Sequence, residues 1–273
     1  MSAPTFDLPR YLQNSRRLEV EDLDWDAVSD HPITPEEVRA LTYDMDIESN
    51  TIIYVRELLS TPAADDPEIT SFLSCWAYEE FFHGYMIKRF LRACGVPVAE
   101  NRLAEVVKGR SPGYRIQQVA QAIVSKLSGA KFIAVHMTWG AIHELTTLQG
   151  YQILSERTQH PVLRELLRRI VKDERRHFAF YYNQAKIRLL DPAARRLTSF
   201  LVHRYWDLVG SGEVPDAEVD FLVEYLLQDE TSMSFVDYVH KTIQALPGME
   251  SWKGLDQVIA RTRKRQAHRV AIA

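Results

Sequence analysis

Two Glu-x-x-His segments carry the side chains of this sequence that are best suited to metal chemistry. Glu80 and His83 form the first segment, and Glu174 and His177 form the second. Residues three apart lie on the same face of a helix, so each segment offers a carboxylate and an imidazole to one metal ion. No other histidine among the nine has a glutamate three residues before it.

Helical start signals and apolar repeats place both segments on long helices. The first predicted helix opens at Thr34-Pro35-Glu36-Glu37, the sequence of a capping box with proline at the first helical position. Its inner face includes Glu48, whereas Asp44 and Asp46 lie off that face and are interpreted as solvated or supporting residues. A third helix carries Glu144 on its inner face. The four predicted core helices span residues 34–59, 66–94, 114–157 with a break or bend near Ser128-Gly129, and 160–190.

Glu48, Glu80, Glu144 and Glu174 would bring four carboxylates into one bundle core. Such burial is costly unless cations neutralise the charge, and two divalent cations match it. Two helix pairs that each supply a glutamate and then Glu-x-x-His are typical of di-iron and di-manganese carboxylate bundles. Oxygen ligands with one imidazole per metal suit iron or manganese, and iron is the first choice. A core of coincidental salt bridges is the alternative.

The whole chain of 273 residues is predicted to form one all-α domain. Its 11 glycines and 12 prolines are few, and its apolar residues repeat at three and four rather than at two, so no strand is predicted. Residues 1–33 are expected to form an irregular arm, 34–190 a metal-binding four-helix core, and 191–273 a helical extension. The extension's predicted helices span 192–209, 215–228, 232–246 and 251–265.

Composition narrows the class of protein. Hydrophobic residues make up 46% and charged residues 26%, as in folded globular proteins, and a net charge of -4 argues against general nucleic-acid binding. The longest apolar run without acidic or basic residues, Phe132–His143, is shorter than the roughly 20 residues of a membrane span, and the first ten residues do not resemble a secretory signal. Cys75 and Cys94 match no disulfide or zinc pattern, so a reducing, cytoplasmic location is expected.

Read together, these segments resemble the acyl-carrier-protein desaturases, a family of soluble di-iron enzymes within the ferritin-like superfamily. The resemblance covers about residues 20–190 and departs at Ile47, where many plant members have threonine, and in a longer connection between His83 and Glu144. It depends on four motifs, which are Asp44-Met45 before Glu48, Trp76 with Glu79-Glu80 and His83-Gly84, Glu144 with Thr147, and Asp173-Glu174-Arg175-Arg176-His177.

The resemblance implies a ferritin-like four-helix bundle with additional C-terminal helices, and a role for each matching residue. Thr147 would face the oxygen-binding side and help to deliver protons. Asp173 would accept a hydrogen bond from the second nitrogen of His83, and Trp25 would complete a Trp-Asp-His path for electrons. The implied ligands are Glu48 and His83 for one iron, Glu144 and His177 for the other, and Glu80 and Glu174 as bridges.

The implied activity is oxygen-dependent desaturation of acyl chains carried on acyl carrier protein, with a ferredoxin-type electron donor and a homodimeric enzyme. An apolar channel near Phe82, Met86, Met137, Trp139 and Tyr181 would hold the chain, and the basic clusters Arg164, Arg168, Arg169 and 261–265 are candidates for docking the acidic carrier. The alternatives are a di-iron hydroxylase or N-oxygenase on another metabolite, a ferritin-like iron-binding or ferroxidase protein, and a radical-forming protein of the ribonucleotide-reductase type.

Overall fold

Helices account for all the regular secondary structure of the computed structural model, which describes residues 6–227 and 229–272. No β-strand occurs in these ranges, which confirms the predicted all-α bundle with additional C-terminal helices. The helices are α1 Leu8–Asn14, α2 Pro35–Leu58, α3 Pro67–Ala93, α4 Arg102–Gly109, α5 Pro112–Ser128, α6 Lys131–Arg157, α7 Pro161–Arg188, α8 Pro192–Tyr205, α9 Asp216–Leu226, α10 Glu230–Gln244 and α11 Gly254–Ile272.

The long helices begin where the sequence carries capping residues. Thr34 and Glu37 form a complete capping box at the start of α2, because each side chain accepts a hydrogen bond from the backbone N–H of the other residue. The Asp66 carboxylate caps α3 by accepting from the N–H groups of Glu68 at 3.0 Å and Ile69 at 3.3 Å. These caps fix where each helix starts, and therefore which residues of the helix face inward.

Helices α2, α3, α6 and α7 pack together around the predicted ligands, with α2 against α3 and α6 against α7. Gly84 allows the first pair to approach closely, because a Cβ atom there would lie 2.5 Å from Ser49 Oγ and 2.8 Å from Ser49 N. Phe72 of α3 stacks on Phe180 of α7 with 3.8 Å between ring centroids, which joins the two pairs.

Gly129, with φ of +56°, divides the third predicted helix into α5 and α6, which confirms the predicted break. Two other segments differ from the sequence-based expectation. The polar connection after α3 contains α4, whose Arg102 donates hydrogen bonds to Asp46. The arm expected to be irregular contains α1 and a 3₁₀ turn at 26–30, because Asp7 caps α1 and the buried Tyr11 packs against α3.

The C-terminal helices are joined to the core by polar contacts as well as by apolar packing. Arg39 of α2 donates to both carboxylate oxygens of Glu218 on α9, at 2.7 and 3.1 Å. Arg157 at the end of α6 donates to the Tyr225 carbonyl at 2.5 Å. In the part of the chain that the structure describes, no helix is long and apolar enough to cross a membrane.

Candidate metal centre

All six predicted ligands lie at one place, where α2, α3, α6 and α7 face one another, and all six are buried. Their ligand atoms form two groups, and within each group these atoms lie within 4.8 Å of one another. Glu80 and Glu174 belong to both groups. Glu48 and His83 complete the first group, and Glu144 and His177 complete the second. These buried groups could hold two metal ions that share two carboxylates.

Both imidazoles direct the same nitrogen inward. His83 Nδ1 lies 3.2 Å from Glu174 Oε1, and His177 Nδ1 lies 2.8 Å from Glu80 Oε1. Despite these distances, all four atoms are buried without a hydrogen bond of acceptable geometry to any described residue. Imidazole nitrogens and carboxylate oxygens that converge in this way match the ligand set of a divalent cation, so the residues present fit a metal centre.

A carboxylate holds the outer nitrogen of each imidazole. His83 Nε2 donates to Asp173 Oδ2 at 3.3 Å, the contact that the resemblance implied for Asp173, and His177 Nε2 donates to Glu79 Oε2 at 2.8 Å. The two contacts follow the same pattern, since each carboxylate immediately precedes a shared glutamate on the helix opposite the histidine that it contacts. A proton fixed on Nε2 leaves the Nδ1 lone pair free for a metal.

Glu79 was not assigned a role from the sequence, yet its carboxylate accepts five hydrogen bonds in a fully buried position. Besides His177, the donors are Tyr11 Oη at 2.8 Å, Ser15 Oγ at 2.9 Å, the Arg16 N–H at 3.3 Å and the Arg176 guanidinium at 3.0 Å. Burial alone would raise the pKa of Glu79, but its hydrogen bonds and the neighbouring cations lower that pKa to about 2.

Arg176 connects the two orienting carboxylates. Its guanidinium donates to Glu79 Oε1 at 3.0 Å and to Asp173 Oδ1 at 2.5 Å. One partly buried cation therefore stabilises the ionised form of both carboxylates, which is the form that accepts from an imidazole N–H. The resemblance had placed Arg176 in a motif without a role.

The cluster retains protons when no cation is bound. Burial and repulsion between neighbouring carboxylates raise the pKa of Glu48, and burial is the main cause of the raised pKa values of Glu80 and Glu144. Burial would lower the pKa of both histidines, but the surrounding carboxylates raise the pKa of His83 and His177 well above the usual value. Divalent cations would replace these protons.

Tyr151 is a third residue to which the sequence gave no role. Its hydroxyl donates to Glu48 Oε1, and the side chain is buried on α6 two turns after Glu144. Asp44 lies near the same carboxylate in a partly buried position. Its Oδ2 has no hydrogen-bond partner among the described residues, and burial and the charge of Glu48 raise its pKa. Asp46 instead lies away from the ligands, paired with Arg102.

Thr147 lines a small cavity of about 90 Å³ together with Glu48 and Asp44. A second cavity of about 820 Å³ shares the wall residues Ile47, Leu208 and Val209 with the first. The two cavities are therefore adjacent, and the smaller one borders the predicted ligand Glu48. Of the five residues expected near such a channel, Trp139 is among those that line the larger cavity.

Trp25 is not brought into the path implied for electrons. Its indole N–H donates to the Val20 carbonyl at 2.8 Å, and the Arg89 guanidinium lies over its ring at 3.8 Å from the centroid. Among the described residues, no hydrogen bond joins Trp25 to Asp173. The indole has only one donor, so the connection would need a different side-chain position.

Comparison with known proteins adds no assignment, because the chain matches no family model, no curated protein and no solved structure. The chemical character of the site comes from its own residues. Buried oxygen and imidazole ligands in two groups, near a cavity lined by both apolar and polar side chains, can hold a pair of metal ions beside a bound organic molecule.

Proposed function

We propose that this chain is a dimetal, oxygen-dependent oxidoreductase that desaturates acyl chains, with iron as the metal. The observation that carries the proposal is the pair of four-ligand groups sharing Glu80 and Glu174. Glu48 and His83 would complete one metal position, and Glu144 and His177 the other. When bound and reduced, the metals would supply the oxygen activation needed to remove hydrogen from an unactivated carbon.

The chain's own residues would orient the metals and the substrate. Asp173 and Glu79 fix both imidazoles with Nδ1 directed inward before any metal arrives, and a metal ion would replace the proton on each Nδ1. The adjoining cavities would exclude water and hold an acyl chain straight beside the ligands. Thr147 lines the cavity next to Glu48, where its hydroxyl could pass a proton toward the metal centre.

An acidic carrier protein is the proposed form in which the acyl chain arrives. Phe200 and Tyr205 line the larger cavity and are 63% and 52% exposed, so the cavity opens beside α8. Arg196 and Arg204 are exposed, and each lies four residues from Phe200 on α8. Neither forms an ion pair with a described residue, so both can attract an acidic partner to this opening.

The basic clusters expected from the sequence are in part engaged in ion pairs within the chain, whereas Arg164, Arg168, Arg263 and Lys264 form no ion pair with a described residue. Arg261 pairs with Asp207, and Arg265 pairs with Asp216 and Asp220, so their charge is already balanced within the chain. Arg169 is likewise paired with Asp22 and Glu165. Arg168 remains exposed on α7.

A homodimer is proposed on the outer face of α3. Tyr78, Phe81 and Tyr85 are 49%, 36% and 51% exposed, and their rings form a cluster with Phe82. Exposed aromatic patches of this kind are typical of protein interfaces. Sedimentation equilibrium of Phe81→Lys should show a monomer if this face joins two copies.

Mass spectrometry of acyl carrier proteins tests the reaction. Iron-loaded protein would be incubated with acyl carrier proteins, oxygen and a ferredoxin reducing system. Glu80→Ala removes a shared ligand, and Glu68→Ala is the matched control, because Glu68 is exposed on the same helix. Loss of two hydrogens with wild type and Glu68→Ala, but not with Glu80→Ala, is the expected result.

Other products would point to the alternatives. A gain of one oxygen atom would favour a hydroxylase, or an N-oxygenase on another metabolite. Iron oxidation and oxygen uptake with unchanged acyl mass at every chain length would favour a ferroxidase. A wild-type protein that binds no metal would contradict the proposal entirely, because the site would then be a salt-bridged core.

A further inference from the structure

The larger cavity extends away from the metal ligands between α2 and α6. Ile47, next to the ligand Glu48, lines one end, and Glu57 and Phe132 line the other end. Its volume of about 820 Å³ lies in the range of cavities that enclose an organic ligand. A molecule that fills it would lie beside Ile47, next to the ligand Glu48, and would also border the exposed residues Phe200 and Tyr205.

His136 lines this cavity, and its surroundings leave both of its ring nitrogens unsatisfied. It is 6% exposed, and neither ring nitrogen has a hydrogen-bond partner among the described residues. By contrast, His143 on the same wall lies 3.0 Å from the Asp207 carbonyl through Nε2. Leaving a buried donor and acceptor unpaired is unfavourable, so a partner from the cavity would stabilise His136.

The imidazole of His136 is neutral near pH 7, because burial lowers its pKa to about 4. A neutral imidazole offers one N–H donor and one acceptor nitrogen. Four carboxylates also line the cavity, those of Glu57, Asp207, Glu213 and Asp216, and each pairs with an arginine outside the described lining. The described lining residues include no lysine or arginine, so a free carboxylate would have no cation to pair with there, and a neutral acceptor such as a carbonyl oxygen is favoured.

The position of His136 defines a distance. It precedes the ligand Glu144 by eight residues on α6, which is about 12 Å along the helix axis. A group held at His136 would therefore be separated from the metal centre by several methylene groups of an extended chain. The spacing would select which carbon lies beside the metals.

We propose that His136 donates a hydrogen bond to the carbonyl oxygen of a neutral acyl thioester, whose alkyl chain continues through the cavity to the metal centre. The inference rests on the proposed function for its substrate class. It adds a positioning residue, since His136 acts on the carbonyl and thereby on the carbon that is oxidised. It also predicts that free fatty acids bind poorly.

A matched pair of ligands isolates the carbonyl. Hexadecanoyl-pantetheine contains it, and the thioether hexadecyl-pantetheine lacks it. Binding of both to the iron-loaded protein without oxygen would be measured for wild type, His136→Phe and His136→Gln. His240→Phe is the control, because His240 is a buried histidine with an unpaired Nε2 outside the cavity.

Wild type should bind the thioester about tenfold more tightly than the thioether, as one hydrogen bond of about 1.4 kcal/mol implies. The ratio should fall to about one in His136→Phe, recover partly in His136→Gln and stay unchanged in His240→Phe. Infrared spectra of a ¹³C-labelled thioester carbonyl should show a lowered stretching frequency in wild type that His136→Phe abolishes.

Two results would overturn the inference in distinguishable ways. If the thioester binds and its advantage over the thioether survives in His136→Phe, His136 does not bind the carbonyl, and the proposed function is unaffected. If wild type binds no thioester, or binds hexadecanoate more tightly, the proposed substrate class fails as well. Iron loading and oxygen uptake, measured on the same samples, would show whether the metal centre itself functions.

Discussion

Replacing Glu79 with glutamine should weaken both the fold and one metal position. Glu79 is fully buried and accepts hydrogen bonds from three residues of the N-terminal arm as well as from His177 and Arg176. The glutamine amide has one acceptor oxygen, and its NH₂ group would face donors on the other side. In Glu79→Gln, some of the buried groups that donate to the carboxylate would therefore face the NH₂ group, which is itself a donor, and would lose their hydrogen bonds.

The cost to stability follows from the pKa of Glu79. Its ordinary value of 4.5 falls to about 2 in the folded protein, which corresponds to roughly 3 kcal/mol of stabilisation by the ionised form at neutral pH. Because the folded-state pKa is lowered, this stabilisation is present above pH 4.5 and is lost as the pH falls toward 2. Glu79→Gln should lack this stabilisation at neutral pH, and with it this dependence of stability on pH.

The cost to metal binding follows from the proton on His177. An amide NH₂ at position 79 can satisfy His177 Nε2 only if Nε2 accepts, which moves the imidazole proton to Nδ1. Nδ1 would then have no lone pair for a metal. Loss of such an orienting partner commonly costs 10- to 100-fold in metal affinity, or about 1.4 to 2.7 kcal/mol.

Guanidinium unfolding of the metal-free variant would measure the first effect, and competition with a chelator would measure the second. Glu165→Gln is the control, since it removes only a surface ion pair with Arg169, which is expected to contribute less than about 1 kcal/mol. If Glu79→Gln is no less stable than this control and binds both metals as wild type does, the role given to Glu79 is refuted.

Three further perturbations test the packing and the charge of the site. Gly84→Ala should separate α2 from α3, and should therefore destabilise the fold by about 1–3 kcal/mol and lower the number of metal ions bound. Gly109→Ala is the control without these effects, because no atom lies within 4 Å of the new Cβ. Denaturation and metal analysis would compare the two variants. Tyr151→Phe should weaken metal binding, seen by chelator competition, because Glu48 loses its donor. Metal-free protein should lose stability as the pH rises from about 5 to 8. Burial raises the pKa of Glu144 to about 8, so the fold is more stable while that carboxyl keeps its proton than when it is ionised. Unfolding curves recorded over this pH range would measure the loss, and bound metal should abolish it.

The helices and the ligand cluster could be predicted because both depend on local signals. Capping residues mark where α2 and α3 begin, and three-residue spacing on a helix brings Glu80 beside His83 whatever the surroundings. A carboxylate on an otherwise apolar helix face can also be recognised from the sequence alone, as at Glu48 and Glu144. The helical repeat therefore determines which side chains share the inner face of each helix, and these include the six predicted ligands.

The supporting residues could not be predicted because their roles depend on contacts between distant segments. Glu79 acts on His177, 98 residues away, and is anchored by Tyr11, 68 residues away. The sequence did contain one signal for Glu79, because an acidic residue directly precedes each shared glutamate. Glu79 precedes Glu80, just as Asp173 precedes Glu174. His136 offered no signal, because only the structure shows that nothing pairs with it.

The two halves of the centre are similar in pattern but differ in how firmly they are held. His177 is oriented by a fully buried carboxylate that five donors fix, whereas His83 is oriented by Asp173, whose side chain is 15% exposed and accepts from two residues. Glu48, on the less constrained side, also borders the cavity. A ligand that enters the cavity would therefore first affect the metal position of Glu48 and His83, which the surrounding residues hold less firmly than the position of Glu144 and His177.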